Sequence, residues 1–518
     1  MDNLAHTLMF QGTASHVGKT TLVAGMCRLL ANMGYSVAPF KAQNMSLNSY
    51  VTADGFEIAR AQALQAFAAG VPPSVDMNPI LLKPKGNCVS QIVLRGKPYM
   101  DVKAGSYYDE FALKLGLSVV RESLESLLEK FDVVIIEGAG SAAEPNLYDR
   151  DIANMRVAKL ARSPVLLVAD IDLGGAFASL LGTLDILSAE DNAMVKGFIL
   201  NKFRGELSLL EPALKFLKKK TGRRVVGVIP HLGDLRLPSE DSVSIGSLNL
   251  SGSVDVAVIR LPSISNFTDV ESLALNPDAR IRYVSQVDNL GQPDLIIIPG
   301  SKNTVSDTEW LRSTGLARAI KDYAAKGAGW VVGICGGYEI LGKRIVDPYA
   351  IEGDSPGEHE ALGLLDAVTV FRKYEKVTRL VEFRLGDRLP TILRGLEGEL
   401  FEGYEIRMGE VILGEGAQPL LKVRPKGSLG AHWEAAGACS KDFRVLGTSV
   451  HGFFDNPTLT ARVLSALKKS RPQSAPVRPQ DVWESELNKV AKAIRENMDL
   501  DYVFRIMGLH EHARKIPA

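Results

Sequence analysis

Two stretches of this sequence combine residue types that perform chemistry when they stand at the end of a β-strand. The first is Gly12-Thr-Ala-Ser-His-Val-Gly18-Lys19-Thr20-Thr21, a glycine-rich turn that leads into a lysine and two threonines. Backbone N–H groups at the start of a helix bind phosphate, the lysine reaches the outer phosphates, and the first threonine offers its hydroxyl to Mg²⁺. The alternative is a glycine-rich turn with a chance Lys-Thr pair, since five residues rather than the usual four separate Gly12 from Gly18. The residues that we predict to hold the phosphates of a nucleotide are Gly12, Thr13, Val17, Gly18, Lys19, Thr20 and Thr21.

Polar residues at other strand ends are candidate ligands beside this loop. Glu137 ends the apolar run Val-Val-Ile-Ile-Glu, and a carboxylate in that position can hold Mg²⁺ directly or through water. Asp54 is a second candidate, although surface loops often carry aspartate. We therefore predict a metal site formed by Thr20, Asp54 and Glu137. The alternative for Glu137 is a structural role, in which its carboxylate lies at the N-terminus of a helix and binds no metal. Asn201 and Lys202 end a later strand, where we predict contact with the base of the nucleotide.

The second stretch is Gly333-Ile-Cys335-Gly-Gly337, which follows an apolar strand and precedes a helical pattern. A Gly-x-Cys-x-Gly turn between strand and helix presents a thiol nucleophile, as the equivalent serine turn presents a hydroxyl. We predict oxyanion donors at Gly336 and, from a neighbouring strand end, at Gly300. His451 ends another apolar strand and is the candidate base, because the histidine that serves a thiol is adjacent in the fold rather than in the sequence. The alternatives are a buried cysteine in a tight turn and a structural histidine.

Alternating apolar strands and helical patterns must position these residues. Such strands run from residue 8 to about 230, and a second series begins near residue 254. Continuous apolar strands between helices indicate a parallel sheet that is covered on both faces. Turn-rich polar stretches near 232–253 and at 471–479 divide the chain. The predicted α/β fold has three parts: a nucleotide-binding synthetase domain at 1–235, a second α/β domain that carries the cysteine turn at 252–470, and a C-terminal helical extension at 480–518.

Composition excludes several classes of protein. The 518 residues carry 60 Lys+Arg against 60 Asp+Glu, which argues against a nucleic-acid partner. No uncharged apolar run approaches the ~18 residues of a membrane span, and Met1-Asp2-Asn3 does not begin a signal peptide. The 4 cysteines lie far apart, so a disulfide framework or a zinc site is not expected. We expect a cytoplasmic protein without membrane or nucleic-acid partners.

Each motif resembles that of a known family. The phosphate loop is similar to that of the dethiobiotin-synthetase-like ATPases, a branch of the P-loop proteins, which implies ATP with Mg²⁺ and an adenine base near Asn201 and Lys202. The cysteine turn and distant histidine resemble a class I glutamine amidotransferase domain, in which the cysteine forms a glutamyl thioester and releases ammonia. That family usually has a His-x-Glu pair, but Phe453 occupies the position of the carboxylate, so the third triad member is missing or supplied elsewhere. Together, the two resemblances imply that ATP activates a carboxylic acid, which ammonia converts into an amide.

Further motifs along the chain are Lys41-Ala-Gln-Asn-Met-Ser-Leu-Asn-Ser49, Ala61-Gln-Ala-Leu-Gln65, Asp76-Met-Asn-Pro-Ile-Leu-Leu-Lys-Pro84, Glu137-Gly-Ala-Gly-Ser141, Asp170-Ile-Asp-Leu-Gly-Gly175, Pro299-Gly-Ser-Lys-Asn-Thr304 and Gly403-Tyr-Glu-Ile406. In combination they resemble the adenosylcobyric acid synthase family, and the resemblance extends over nearly the whole chain, to about residue 470. It implies a glutamine-hydrolysing enzyme that amidates the b, d, e and g carboxylates of adenosylcobyrinic acid a,c-diamide. Two features depart from the family: Arg407 stands where histidine is expected, and the helices after Pro479 are not a recognised part, which suggests an oligomer or partner element.

The expected substrates are glutamine and a corrinoid a,c-diamide, and the oligomeric state is left open. Polar side chains that follow a strand near the phosphate loop suit contacts to amides and carboxylates, and lysines suit carboxylates or phosphate. The alternative is an asparagine-rich surface loop with solvated lysines. Three other functions compete: the earlier ligase that makes the a,c-diamide, another ATP-dependent amidoligase, and a partition or scaffold ATPase. The cysteine turn and the balanced charge oppose the scaffold ATPase. The residues that we predict to bind the substrate are Lys41, Gln43, Asn44, Ser46, Asn48 and Lys83.

Overall fold

A parallel sheet and a mixed sheet organise the chain, and each chemical motif follows a parallel strand of one of them. The computed structural model describes residues 5–233, 235–240, 251–372, 376–428, 430–468 and 476–509. Parts of the polar stretches predicted near 232–253 and at 471–479, and the last residues of the predicted extension, lie outside the described residues.

The first half of the chain contains a parallel sheet and a smaller inserted sheet. A 3₁₀ turn at Val75–Met77 and a π-helix at Tyr107–Gly116 lie between its regular elements. These elements are β1 (His6–Gly12), α1 (Lys19–Asn32), β2 (Val37–Phe40), β3 (Gln43–Met45), β4 (Ser49–Val51), β5 (Glu57–Ala59), α2 (Arg60–Ala69), β6 (Ile80–Gly86), β7 (Val89–Leu94), β8 (Lys97–Lys103), α3 (Ala104–Ser106), α4 (Leu117–Lys130), β9 (Val133–Ser141), α5 (Met155–Leu160), β10 (Val165–Asp170), α6 (Ala176–Ile186), α7 (Ala189–Met194), β11 (Val195–Phe203), α8 (Leu207–Thr221) and β12 (Arg224–Pro230).

The main sheet of this half has 6 parallel strands in the order β12-β11-β10-β1-β9-β2. Met9 of β1 enters one apolar core, whereas Leu8 and Phe10 enter the core on the opposite face. The strands therefore lack a polar face, as expected for a sheet that helices cover on both sides. Because the strands run in one direction, the loop after β1 and Glu137 near the end of β9 meet at the carboxyl edge of the sheet.

The smaller sheet, in the order β3-β6-β7-β8, was not predicted. Its strands carry many lysine, glutamine and serine residues, and β8 is mostly exposed, so the alternation of apolar and polar residues that marks a strand is weak. β3 pairs in parallel with β6, with Met45 opposite Leu82. This pairing positions the polar run that follows β2 and the lysine at residue 83.

The second half of the chain forms a larger mixed sheet. Two 3₁₀ turns, at Val287–Asn289 and Phe453–Asp455, lie between its regular elements. These elements are β13 (Val254–Ile259), β14 (Ile264–Ser265), α9 (Thr268–Ala274), β15 (Ala279–Val284), β16 (Leu295–Ile298), β17 (Gly300–Ser301), α10 (Thr304–Ser313), α11 (Leu316–Ala325), β18 (Trp330–Ile334), α12 (Gly336–Leu341), β19 (Arg344–Asp347), β20 (Gly357–Glu360), β21 (Ala367–Phe371), β22 (Val377–Leu385), β23 (Leu400–Arg407), β24 (Gly409–Leu413), β25 (Gln418–Pro425), β26 (Glu434–Cys439), β27 (Val445–Thr448) and α13 (Pro457–Lys468).

The mixed sheet has 9 strands in the order β15-β13-β16-β18-β27-β26-β25-β22-β23. The first five are parallel, and the remaining strands pair antiparallel. β18 lies directly beside β27, with Ile334 opposite Thr448. Cys335 and the turn that leads to His451 therefore leave the sheet at the same edge, on neighbouring strands.

The C-terminal helices, α14 (Pro479–Asn497) and α15 (Leu500–Met507), turn back onto the first domain. Glycine at residue 25 of α1 gives α14 a close approach, because a Cβ there would lie 2.4 Å from Val490 and 2.8 Å from Ile494. Arg28 of α1 donates two hydrogen bonds, of 2.7 and 2.8 Å, to the carboxylate of Glu484.

The same helices also cover an edge of the first sheet. Met498 forms a bridge with Gly227 of the edge strand β12, and the N–H of Asp499 donates to the carbonyl of Val226 at 2.7 Å. A covered edge does not present free backbone groups to another chain. The apolar face of the extension is used within the molecule, and a role of the extension in an oligomer or with a partner stays a prediction.

We expect Gly25→Ala to displace α14 and to lower the free energy of unfolding by about 1–3 kcal/mol, the usual cost of overpacking a core. Gly182→Ala in α6 is the matched control, because no atom lies within 4 Å of its added Cβ and alanine favours a helix. Urea unfolding of the two variants measures the difference. Equal stability of both would contradict the close packing of α1 against α14.

Candidate active site

The loop after β1 has the backbone shape that phosphate binding requires. Gly18 has a φ of 93°, a left-handed conformation that glycine adopts without strain. A Cβ on Gly12 would lie 2.6 Å from both the Ala14 carbonyl oxygen and Nζ of Lys19. Nζ of Lys19 donates to the carbonyl oxygens of Ala14 at 3.0 Å and Gly140 at 2.8 Å. Burial lowers the pKa of Lys19 to about 8, so a phosphate that arrived here would favour its charged form.

A cluster of opposite charges lies beside this loop. The carboxylate of Glu137, which is 1% exposed, accepts from Thr20 Oγ1 at 2.8 Å, Lys41 Nζ at 2.8 Å and Gln65 Nε2 at 2.6 Å. Glu240 reaches the same place from beyond β12, where it accepts from Lys41 at 2.7 Å and lies 2.5 Å from Thr20 Oγ1, whose single proton it shares with Glu137. Burial alone lowers the pKa of Lys41, but the two carboxylates raise it above its usual value. Lys41 is therefore a positive charge fixed between two carboxylates.

The oxygen atoms of Thr20, Glu137 and Glu240 fit the ligand chemistry of Mg²⁺, which takes one or two carboxylates together with phosphate oxygens. In the described part of the chain, no group of 3 or more His, Cys, Asp or Glu side chains is placed to hold a metal ion by itself, so phosphate oxygens would have to complete the site. Asp54 does not join this cluster: it is exposed in the turn between β4 and β5, where it accepts from Thr52 Oγ1 at 2.5 Å. The structure thus places Glu240, rather than Asp54, beside Thr20 and Glu137.

A cavity of about 560 Å³ opens onto the phosphate loop and is lined by Lys19, Thr20, Lys41, Asn44 and Glu137 among others. Its walls combine the loop, the acidic cluster and part of the predicted substrate-binding run. The cavity therefore brings a nucleotide site and a polar surface for a second substrate into one space.

Two predicted substrate residues near the start of the polar run pair within the first domain. Asn44 Nδ2 donates to Gln62 Oε1 at 2.9 Å, and the hydroxyl of Tyr107 donates to Gln43 Oε1 at 2.5 Å. Asn44 is 4% exposed, so the alternative of a surface loop is wrong.

Two further members of the run hold the segment that leads out of the first domain. Ser46 Oγ donates to the carbonyl of Glu240 at 2.9 Å, and Asn48 Nδ2 donates to the carbonyl of Ser239 at 3.1 Å. Both side chains are buried. They fix the position of the Glu240 carboxylate at the phosphate loop.

Lys83 was predicted to bind substrate, and the structure places it beside Cys335 rather than at the phosphate loop. Its Nζ donates to Glu57 at 2.5 Å and to Ser49 Oγ at 2.9 Å, and it lines a cavity together with Cys335. Contact of Lys83 with a substrate carboxylate stays a prediction.

Asn201 and Lys202 buttress the phosphate loop. Asn201 Nδ2 donates to the carbonyl of Val17 at 2.9 Å, and Lys202 Nζ donates to the carbonyl of His16 at 2.8 Å and to Asp170 at 2.6 Å. Lys202 also lines the cavity at the loop. Contact with adenine by either residue stays a prediction.

Cys335 stands in a strained turn between β18 and α12. Its φ of 51° and ψ of −111° lie in a region that a residue with a Cβ adopts only when its surroundings enforce it. A Cβ on Gly336 would lie 2.6 Å from the N atom of Ser301, and one on Gly337 would lie 1.9 Å from the carbonyl oxygen of Ile298. The glycines are thus required by the close approach of the neighbouring strand end.

The two predicted oxyanion donors belong to the two segments that meet at this contact, the cysteine turn and β17. Gly336 begins α12 directly after Cys335, and Gly300 belongs to β17, where it pairs with Ser265. Their role as donors to an oxyanion stays a prediction.

The base and its partner complete a triad. His451 is fully buried and shares its Nδ1 with Asp269 Oδ2 at 2.7 Å. The Cys335 thiol lies close enough to help raise the pKa of His451, and its Sγ donates to the carbonyl of Ile406 at 3.5 Å. Phe453, at the position where a carboxylate was expected, instead stacks on Phe383 with ring centroids 5.8 Å apart. The third member is therefore supplied elsewhere, by Asp269 in the first turn of α9.

The charge of His451 depends on this carboxylate. Burial lowers the pKa of His451, but the negative charge of Asp269 and the interaction with Cys335 outweigh it and raise the pKa to about 10. The other oxygen of Asp269 accepts from the N–H of Gly452 at 2.8 Å, which fixes the carboxylate. Nδ1 is thus committed to Asp269, and Nε2 is the nitrogen that can exchange a proton with the thiol.

Asn266 connects the triad to the first domain. Its Oδ1 accepts from the N–H of Ser49 in β4 at 2.9 Å, and its Nδ2 lies 3.2 Å from Nε2 of His451. Tyr404 stacks on the His451 ring at 5.2 Å, and its hydroxyl donates to the carbonyl of Ser49 at 3.4 Å. The histidine is therefore positioned by residues of both domains.

Comparison with known proteins agrees with this arrangement. Residues 8–245 match a family model described as the CobQ/CobB/MinD/ParA nucleotide binding domain, and residues 255–459 match the CobB/CobQ-like glutamine amidotransferase domain. A cobyric acid synthase of Pelotomaculum thermopropionicum is 46% identical over 98% of this chain and 97% of its own. One of Moorella thermoacetica is 46% identical over 98% of both chains, and a probable cobyric acid synthase of Methanocella arvoryzae is 46% identical over 97% of this chain and 99% of its own.

The chain belongs to the cobyric acid synthase family. Like the cobyric acid synthases that it resembles, it is a glutamine-dependent amidoligase of cobalamin synthesis, and it uses ATP. The alignments cover 97–98% of the chain and therefore extend past residue 470. The C-terminal helices are thus a regular part of cobyric acid synthases, and the expectation that they lie outside the family was wrong. No helix in the described residues is long and apolar enough to cross a membrane.

Two carboxylates of these sites, Glu240 and Asp269, were not predicted from the sequence. Glu240 stands in the turn-rich stretch Leu237-Pro-Ser-Glu240, where its acidic side chain gave no signal beyond polarity. Asp269 lies in the first turn of a short helix that no motif marks. Both are brought into place only by long-range packing.

We expect Asp269→Asn to lower glutamine-dependent amidation by roughly 10²–10⁴-fold, the range for loss of an orienting carboxylate or of general-base catalysis. Without the negative charge, burial dominates and the pKa of His451 falls below about 10, so the imidazole loses its proton at lower pH. An NMR titration of the imidazole groups, of which the chain has only 8, measures this shift. Asp278→Asn, a buried aspartate of the same domain that pairs with Lys468, is the control. An unchanged titration of His451 in Asp269→Asn would contradict the triad.

Proposed function

We propose that the protein amidates the b, d, e and g carboxylates of adenosylcobyrinic acid a,c-diamide to give adenosylcobyric acid, with glutamine as nitrogen donor and one ATP hydrolysed per amide. The observation that carries the proposal is the combination, on one chain, of the phosphate loop with its acidic cluster and the Cys335–His451–Asp269 triad. The near full-length similarity to cobyric acid synthases supports the choice of substrate.

At the phosphate loop, a carboxylate of the substrate attacks the terminal phosphate of ATP, which forms an acyl phosphate and releases ADP. Lys19 and the loop N–H groups hold the phosphates, and Lys41 faces the charge that develops. Mg²⁺, held by Thr20, Glu137 and Glu240, would neutralise phosphate charge. The buried surroundings of Glu137 and Lys41 limit access of water to the reactive intermediate.

At the second site, the sulfur of Cys335 attacks the side-chain amide carbonyl of glutamine. Nε2 of His451 carries the thiol proton to the departing ammonia, and Asp269 holds the imidazole in position. The N–H groups of Gly336 and Gly300 stabilise the oxyanion. Water then cleaves the glutamyl thioester to glutamate, and the ammonia attacks the acyl phosphate to give the amide and free phosphate.

The corrinoid binds at the cavity beside the phosphate loop, where Lys41 and Asn44 face its reacting carboxylate. Gln43, Ser46 and Asn48 support this wall through their internal hydrogen bonds. One pocket that serves four carboxylates in turn must release or rotate the substrate between steps. Partly amidated intermediates should therefore accumulate in a time course, and strictly processive conversion would contradict a pocket of this kind.

We expect Cys335→Ala to abolish glutamine-supported amidation and to keep ammonia-supported amidation at the wild-type level, because ammonia bypasses the thiol. Cys88→Ala, which replaces an exposed free cysteine, is the matched control and should behave as wild type with both nitrogen sources. Amide formation is followed by mass spectrometry of the corrinoid. Loss of both activities in Cys335→Ala would refute a purely nitrogen-supplying role.

We expect Lys19→Ala to remove amidation with either nitrogen source, because the phosphates lose their charge partner. Lys114→Ala, an exposed lysine of the π-helix, is the control.

Corrinoid-dependent ATP hydrolysis is measured with the a,c-diamide and, separately, with cobyrinic acid. Preference for cobyrinic acid would favour the earlier ligase of the pathway, and ATP hydrolysis indifferent to both corrinoids and to glutamine would favour a scaffold ATPase.

A further inference from the structure

Charged side chains from both domains surround the narrow cavity beside Cys335, which has a volume of about 40 Å³. This is room for a few water molecules, so a larger ligand must separate the ion pairs that now fill the space. The charged residues that line it are Lys83, Lys302, Glu339, Glu352, Lys376 and Arg407.

One side of the cavity carries an excess of positive charge. Lys83 and Lys376 both pair with Glu57, and the three side chains are 4%, 5% and 0% exposed respectively. Two ammonium groups thus share one carboxylate. Burial outweighs the attraction of Glu57, and the repulsion of neighbouring lysines adds to it, so the pKa of Lys376 is lowered to about 8. A buried cation without its own counter-ion is costly, and a carboxylate supplied by a ligand would balance it.

The other side carries two carboxyl groups and one lysine. Glu352 pairs with Lys302 at 2.8 Å, and Thr304 Oγ1 lies 3.1 Å from Glu339 and 3.5 Å from Glu352. Burial, together with the charge of Glu352, raises the pKa of Glu339 to about 8, so Glu339 keeps its proton near neutral pH. An ammonium group supplied by a ligand would favour the charged form of Glu339 and pair with both carboxylates.

Arg407 lies near the same carboxyl group, and its positive charge acts to lower the pKa of Glu339. Its guanidinium is held by Glu405 at 3.1 Å and by the carbonyl of Gly409 at 3.1 Å. The cavity therefore has one side with two lysines on a single carboxylate and one side with two carboxyl groups, with the thiol of Cys335 in the same space.

We propose that this cavity binds the zwitterionic end of glutamine, with its α-carboxylate on Lys83 and Lys376, its α-ammonium on Glu352 and Glu339, and its amide at Cys335. The proposal rests on the assignment of Cys335 as the nucleophile. Because Lys83 belongs to β6, the first domain supplies part of the glutamine site. The glutaminase site is therefore incomplete without the synthetase domain.

Lys83→Met tests the carboxylate contact, and it leaves Glu57 paired with Lys376. A charge-assisted hydrogen bond is lost, so the KM for glutamine should rise roughly 10- to 100-fold. Hydrolysis of 4-aminobutanamide, which is glutamine without its α-carboxylate, should keep the wild-type rate. Lys83→Arg should restore most of the affinity for glutamine. Lys85→Met, on the same strand but paired with Asp101, is the matched control.

Glu352→Gln tests the opposite end. It should raise the KM for glutamine and leave hydrolysis of 4-carbamoylbutanoate, which lacks the α-ammonium, unchanged. Equal loss with glutamine and with the truncated amide in either variant would overturn the proposal, because that result shows damage to the shape of the pocket. A KM for glutamine within twofold of wild type in Lys83→Met would also overturn it. Ammonia-supported amidation, measured in parallel, should persist in both variants; its loss would instead count against the proposed function.

Discussion

The hydrogen bonds that link Ser49, Asn266 and His451 join the two chemical halves of this protein. Ser49 belongs to the first domain, whereas Asn266 and His451 belong to the second, and the two contacts measure 2.9 and 3.2 Å. Asn266 has a φ of 47°, a conformation that asparagine tolerates better than most residues. The position of the His451 imidazole, the candidate base for Cys335, therefore depends on contacts from both domains.

The same segment of the first domain also reaches the phosphate loop. Ser46 and Asn48 hold the backbone at Ser239 and Glu240, and the Glu240 carboxylate contacts Thr20. Residues 46–49 therefore touch the nucleotide site at one end and the triad at the other. Buried charges are used in the same way at both sites: Lys41 stands between two carboxylates, and His451 stands against Asp269. Separating such a pair leaves a buried charge without a partner, which costs free energy, so the two partners are held in a fixed relative position.

The parts of this arrangement that could be predicted from the sequence are local. The phosphate loop and the cysteine turn each consist of consecutive residues at a strand end, and His451 follows an apolar strand, so pattern and spacing were sufficient. The parallel sheets followed from continuous apolar strands between helices. The inserted sheet was missed because its strands carry polar residues on both faces.

The residues that could not be predicted are placed by contacts between distant segments. Asp269 reaches His451 across 182 positions of sequence, and Glu240 reaches Thr20 across 220. Lys83 was recognised as a candidate for substrate binding, but its location beside Cys335 could not be predicted, because it depends on the direction of β6. The packing of the C-terminal helices onto α1 likewise depends on the bare backbone of Gly25, which sequence alone does not relate to Val490.

Nitrogen released at Cys335 should pass to the acid that is activated at the phosphate loop, and an isotope competition measures this transfer most directly. The enzyme is supplied with glutamine labelled with ¹⁵N in its side-chain amide, in the presence of unlabelled ammonium, and the new corrinoid amides are analysed by mass spectrometry. The wild-type protein should place ¹⁵N in the amides, whereas Asp269→Asn should take its nitrogen from ammonium. The same isotope composition in both proteins would contradict the role of the triad as the nitrogen source.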